Sequence, residues 1–110
     1  MEEIYFLVQG SADEPYKVTF QKKGNNLSVY CTCPAGENGQ YCKHRIRILE
    51  GCNEGIASGN KDEVMIVKSW LRGTDVEAAL MGLIDAQKQY EKIKRELSVA
   101  KKRLAKAFRD

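Results

Sequence analysis

Residues 31–44, CTCPAGENGQYCKH, gather three of the four cysteines and the sole histidine into fourteen positions. Cys31 and Cys33 stand two apart on a segment that reads as extended, so their thiols leave the backbone on the same side. Cys42 and His44 repeat that spacing after eight intervening residues, among them Pro34, Gly36, Asn38 and Gly39, which favour a compact turn. Such a turn folds one pair of soft donors back onto the other. Three thiolates and one imidazole make a closed tetrahedral set that suits Zn²⁺ and leaves no position for water. A disulfide within Cys31–Cys33 is excluded by strain. Cys52 is the rival fourth ligand; it falls beyond a short helix and past Gly51, and its default role is a buried or inert thiol.

The flanks of the cluster carry strand and helix signals. Ile4–Val8 is a continuous apolar run, as expected of a strand buried on both faces. Tyr16–Phe20 and Leu27–Tyr30 alternate around Gly24-Asn-Asn26, which predicts a hairpin running directly into Cys31. Strands are therefore expected at 4–8, 16–22 and 27–31. Ile46 and Leu49 suit a short helix from His44 to Gly51, and residues 51–60 read as a loop. Asn60-Lys-Asp-Glu63 and Thr74-Asp-Val-Glu77 are capping boxes opening two more helices, separated by Gly73. In the first, Val64, Val67 and Leu71 share a face, and Met65, Ile66 and Trp70 make it apolar nearly all round, so burial is expected.

The pattern C-x-C-x(8)-C-x-H resembles the SWIM zinc-finger family. "CTCP" has the proline that often follows the family's second cysteine, "CKH" is a common form of its last two ligands, and a hairpin before the first pair with a helix after the histidine matches the family's ββα arrangement. The resemblance covers roughly residues 16–50. It implies Zn²⁺ as the cofactor, with Cys31, Cys33, Cys42 and His44 as its ligands. It also implies either DNA binding or protein interaction, since SWIM fingers are associated with both. Where helices after the family's histidine are usually largely apolar, this one begins Arg45-Ile-Arg47.

The expected fold is α+β: a small antiparallel sheet with a ββα zinc finger, then helices. Residues 1–73 are expected to form the finger domain and 74–110 a long C-terminal helix. In that helix Val76, Ala79, Leu80, Leu83 and Ile84 give a broad stripe for docking on a globular core. Further on, Leu83/Ala86, Tyr90/Ile93, Leu97/Ala100 and Leu104/Ala107 keep seven-residue spacing, a coiled-coil seam of about four heptads. A helix of 35 residues spans about 50 Å, longer than a domain of this size is wide. A second copy, or a partner helix, is the expected cover.

Charge divides the same way. Residues 1–60 carry six Lys and Arg against seven Asp and Glu, whereas 61–110 carry twelve against eight. Within 88–109 there are nine bases against Glu91 and Glu96. Lys88, Arg95, Lys102 and Arg109 recur at the heptad position opposite the seam. Together with Lys43, Arg45 and Arg47 beside the cluster they are candidates for contact with nucleic acid. The three near the cluster serve equally well to offset the net −1 of a three-thiolate zinc centre.

Catalysis is not expected. A closed site leaves no histidine as general base, and there is no paired-carboxylate, phosphate-loop or nucleophile motif; no small-molecule substrate is implied. The opening MEEIYFLVQG has acidic residues where a secretory leader is basic, and no run approaches the roughly 20 apolar residues of a membrane span. The expected setting is cytoplasmic, or nuclear in a eukaryote, and the expected function is a small dimeric, nucleic-acid-associated protein. The alternative is a protein-interaction adaptor in which zinc is purely structural.

Overall fold

A computed structural model describes residues 1–109 and shows the expected α+β arrangement. Strands β1 (Glu2–Val8), β2 (Tyr16–Lys23) and β3 (Asn26–Cys31) form an antiparallel meander in the order β1-β2-β3. Lys23 faces Asn26 across a two-residue loop, where Gly24 takes a left-handed φ of 58° that few other residues tolerate. This turn sets the register. Phe6 lies opposite Val18, and Val18 opposite Cys31, so the first metal donor belongs to the same inward face as the core. Phe6 and Phe20 meet edge to face, with centroids 5.8 Å apart, in the buried centre of that face.

The apolar run of β1 is covered on one face only, not on both as expected. Phe6 and Val8 are buried while Tyr5 is 49% exposed, so alternate residues of this strand face the core and the open side of a three-stranded sheet.

Two short helices follow: α1 (Pro34–Glu37), a single turn where the sequence indicates only a compact bend, and α2 (Lys43–Leu49). Helix α2 buries Ile48 and Leu49 and ends in paired bonds, from Gly51 N–H to the Ile48 carbonyl and from Cys52 N–H to the Arg47 carbonyl. Gly51, at φ 90°, makes that reversal feasible. The following loop is anchored along β1. Gln9 N–H donates to the Gly55 carbonyl, Ala57 N–H to the Leu7 carbonyl, and the Leu7 N–H to Ser58 Oγ, while Ile56 becomes a buried core residue.

Asn60 does not cap a helix. Its amide donates to the Tyr5 carbonyl and its oxygen accepts from Ser58 Oγ, which commits the side chain to the loop. Residues Lys61–Glu63 therefore form a 3₁₀ turn before α3 (Val64–Trp70). The expectation that α3 is buried all round is also corrected. Val64 and Val67 are buried, but Met65 is 62% and Ile66 48% exposed, since a two-turn helix presents one stripe to one small core.

Thr74 caps the last helix, α4 (Asp75–Ala107), the longest element. Its hydroxyl accepts from the Glu77 N–H and donates to the Leu71 carbonyl, while the Glu77 carboxylate reaches back to the Gly73 N–H. The chain falls into two compact units, Met1–Ala78 and Ala79–Asp110. In the second, Leu80 is buried and Leu83 and Ile84 half-buried, whereas Tyr90, Ile93, Leu97 and Leu104 are all exposed. Among the described residues, no helix is long and apolar enough to cross a membrane.

Candidate metal centre

Each donor of the cluster is delivered by a different local device. Cys31 ends β3, on the inward face fixed by the hairpin register. Cys33 is the N-cap of α1, its Sγ accepting from the Gly36 N–H at 3.3 Å, with Pro34 at the first helical position where a missing N–H costs nothing. Cys42 is the N-cap of α2, and His44 lies in that helix's first turn. Ending a strand and starting two helices within fourteen residues turns all four side chains to one point.

The four donor atoms lie within 4.8 Å of one another, and the three cysteines are buried. Cys33 and Cys42 sulfurs are 3.4 Å apart, and His44 Nδ1 lies 3.8 Å from the Cys31 sulfur and 3.7 Å from the Cys42 sulfur. Zinc–sulfur bonds of about 2.3 Å and a zinc–nitrogen bond of about 2.0 Å give tetrahedron edges of about 3.8 and 3.5 Å. The donor set and its dimensions fit zinc. Cys52, half-buried, is not part of the cluster.

The local environment shifts the donors unequally. Burial pushes the Cys31 thiol up to about 12, with hydrogen bonds from Cys33 and Cys42 adding to the rise beyond the backbone bond that opposes it. Burial raises Cys42 too, but backbone N–H groups of Arg45 and His44 and bonds from Cys33 and Cys31 outweigh it and leave that thiol lowered. Without a cation the buried Cys31 thiol thus holds its proton, and a dication beside it would favour the thiolate. Burial also lowers His44, with Lys43 and Arg47 contributing, so its imidazole is held neutral as a ligand must be.

Neighbouring residues hold these donors in place. The Tyr16 ring lies 5.2 Å from that of His44. A Cβ at Gly10 would come within 2.5 Å of the Tyr16 ring and 3.5 Å of His44 Nε2, so the chain passes closely over this pair. A Cβ at Gly36 would collide with the Cys31 carbonyl oxygen, which makes α1 dependent on glycine for its seat against β3. No local pattern in the sequence announces either approach.

Of the basic residues nearby, Arg45 is engaged internally, donating to the carbonyls of Val29 and Gln40. Lys43 and Arg47, both exposed, border a groove of about 610 Å³ that also includes Tyr16, Tyr41, Ile48 and Glu54. Lys88, Arg95 and Lys102 are exposed on α4, and Arg109 lies just past its end, so the cluster and these four belong to separate stretches of the chain.

Fold and donor set together are those of a zinc-binding finger. Residues 6–53 match the family model of the SWIM zinc finger, and this segment, just under half of the chain, is a SWIM-type finger. No match was found among curated proteins or among solved structures.

Proposed function

We propose that the protein is a nucleic-acid-associated factor acting as a dimer, with the zinc finger as a rigid mount and α4 as the basic, pairing element. One observation carries the reading. Lys88, Arg95 and Lys102 stand one heptad apart on α4, all exposed, on the side opposite its apolar seam. A helix can thus pair through one side and face phosphate with the other. Lys43 and Arg47 supply further cationic reach beside the zinc, whereas Arg45 is spent on backbone carbonyls.

A binding role is favoured over catalysis because four protein donors fill a tetrahedral zinc and leave no place for water or substrate. Cysteines clustered at metal-binding distances fit a reducing compartment, cytoplasmic or nuclear.

The test is a salt titration of binding by zinc-loaded protein to duplex DNA, single-stranded DNA and RNA. Affinity should fall steeply with salt, and replacing Lys88, Arg95 and Lys102 by Ala should flatten the slope by about 0.7–0.9 for each phosphate no longer neutralised. No binding to any of the three at low salt removes this reading. The groove beside the zinc, part apolar and rimmed by Tyr41, Lys43 and Glu54, then leaves the adaptor reading ahead.

A further inference from the structure

Helix α4 leaves an apolar line uncovered: Tyr90 is 64%, Ile93 60%, Leu97 53% and Leu104 56% exposed. These residues follow the seven-residue spacing of a two-stranded seam, with Ala86, Ala100 and Ala107 between them. We infer that the line is covered by α4 of a second copy, running in parallel. This rests on the pairing element of the proposed function and adds its partner and its direction.

Charges flanking the seam decide the direction. With Leu97 in the first core position, the flanking positions hold Gln89, Glu96 and Arg103 on one side and Gln87, Lys94, Lys101 and Phe108 on the other. In a parallel pair each residue of the first set meets the residue five places later in the second copy. Glu96 then faces Lys101 twice, Gln89 faces Lys94, and Arg103 faces Phe108. There are two attractions and no repulsion.

Antiparallel pairing sets like positions against each other. In the register that stacks Leu97 on Ala100, Glu96 faces Arg103, but Lys94 faces Lys101, and the two effects cancel. A shift of one heptad in one direction puts Glu96 against Glu96 and Lys94 against Lys94. A shift in the other puts Lys101 against Lys101 and Arg103 against Arg103. Each of these antiparallel registers sets like charges against each other, and the parallel one does not. A foreign helix is not needed to balance the flanks, since the chain is complementary to itself. As α4 begins at Asp75, parallel pairing joins both fingers to the same end of the coil.

Lys101→Glu reverses sign between the two arrangements, which makes it the decisive variant. In the parallel pair it converts two Glu96–Lys101 attractions into Glu–Glu repulsions; in the centred antiparallel pair it converts two Lys94–Lys101 repulsions into attractions. The measurement is the dimer dissociation constant of full-length, zinc-loaded protein by sedimentation equilibrium, with zinc content checked for each variant. We expect wild type to be dimeric, Lys101→Glu to dissociate about tenfold more readily, and Glu96→Lys with Lys101→Glu together to recover wild-type affinity. Tighter association of Lys101→Glu overturns the parallel assignment, as does a trimer or tetramer. A wild-type mass of one chain at every concentration overturns the second copy as partner. None of these results depends on nucleic acid, so they separate this inference from the binding reading.

Discussion

The finger and the terminal helix handle the same difficulty in opposite ways. Neither has enough neighbouring chain to bury all of its apolar surface. The finger concentrates what it has into one small core, Phe6, Val18, Phe20, Leu27 and Val67, and completes it with three buried metal donors. Helix α4 spreads Tyr90, Ile93, Leu97 and Leu104 along an exposed line. The difference is one of where the stabilising free energy comes from. In the finger it comes from a bound cation within one chain; in the helix, under the pairing proposed above, it comes from contact with another. The finger should thus respond to chelators and be indifferent to protein concentration, and α4 the reverse.

Zinc removal is the strongest way to break that contrast. Apparent binding free energies for structural zinc are about 10–16 kcal/mol, as large as the whole net stability of a typical domain. Cys33→Ser or excess chelator should abolish the sheet signal in circular dichroism and the dispersed amide resonances of residues 1–78. Helix-rich dimer should survive. If the sheet persists without zinc, the finger is held by its core and the contrast fails.

Leu97→Asp attacks the other side. A carboxylate closed into the seam without a partner costs about 3 kcal/mol or more, so dimer affinity should fall by about a hundredfold or more, read by sedimentation. Zinc content should stay at one per chain. Loss of zinc in this variant would tie together two regions that are separate units here.

Gly36→Ala sharpens the picture within the finger. The added Cβ meets the Cys31 carbonyl and must push α1 away, moving Cys33 with it. Destabilisation by about 2 kcal/mol is expected, with weaker zinc retention in a chelator competition. Gly39→Ala, where a Cβ would meet nothing but φ is 68°, should cost less and leave zinc affinity unchanged.

Acidification gives a graded version. The fold holds His44 below its ordinary value of 6.5, so the stability from its neutral form is present above that pH and is lost as pH falls through the folded value. Zinc binding acts in the same direction, because protons compete for thiolate and imidazole. Melting temperature of the finger should decline below about pH 6.5, and α4 should be nearly insensitive there. The smallest effect belongs to the joint between them. Thr74→Ala removes an N-cap and should cost about 1 kcal/mol, visible as a modest drop in helix content.

What the sequence makes legible follows from how local each signal is. Cys31, Cys33, Cys42 and His44 declare themselves because their spacing, and the turn residues between them, lie within one short stretch. Gly24, Gly51 and Thr74 are readable for the same reason, since hairpin, helix stop and cap are all settled over a few residues. Ile56 is not, because its burial depends on the loop closing against β1, some fifty residues earlier. Asn60 misleads through competition: its side chain fits a helix cap equally well, and only the presence of the Tyr5 carbonyl diverts it. Gly10 and Gly36 matter through what is absent from them, a Cβ that would strike Tyr16 or Cys31, and such a need is invisible until the chain is folded. The exposure of Met65 and Ile66 escapes the sequence pattern, since periodicity tells which face is apolar but not whether anything lies against it.

The loop anchored along β1 has a consequence for how the protein behaves in a crowded solution. A short meander ordinarily offers two free margins at which a foreign strand can add by backbone hydrogen bonding, the first step towards fibrous aggregates. Here the outer side of β1 is already occupied from Tyr5 to Gln9 by Gly55, Ala57, Ser58 and Asn60, and on the opposite margin the Arg45 guanidinium sits on the Val29 carbonyl. A foreign strand thus finds β1 blocked over most of its length and β3 interrupted at Val29, which disfavours open-ended stacking through the sheet and is compatible with the helix pairing proposed above.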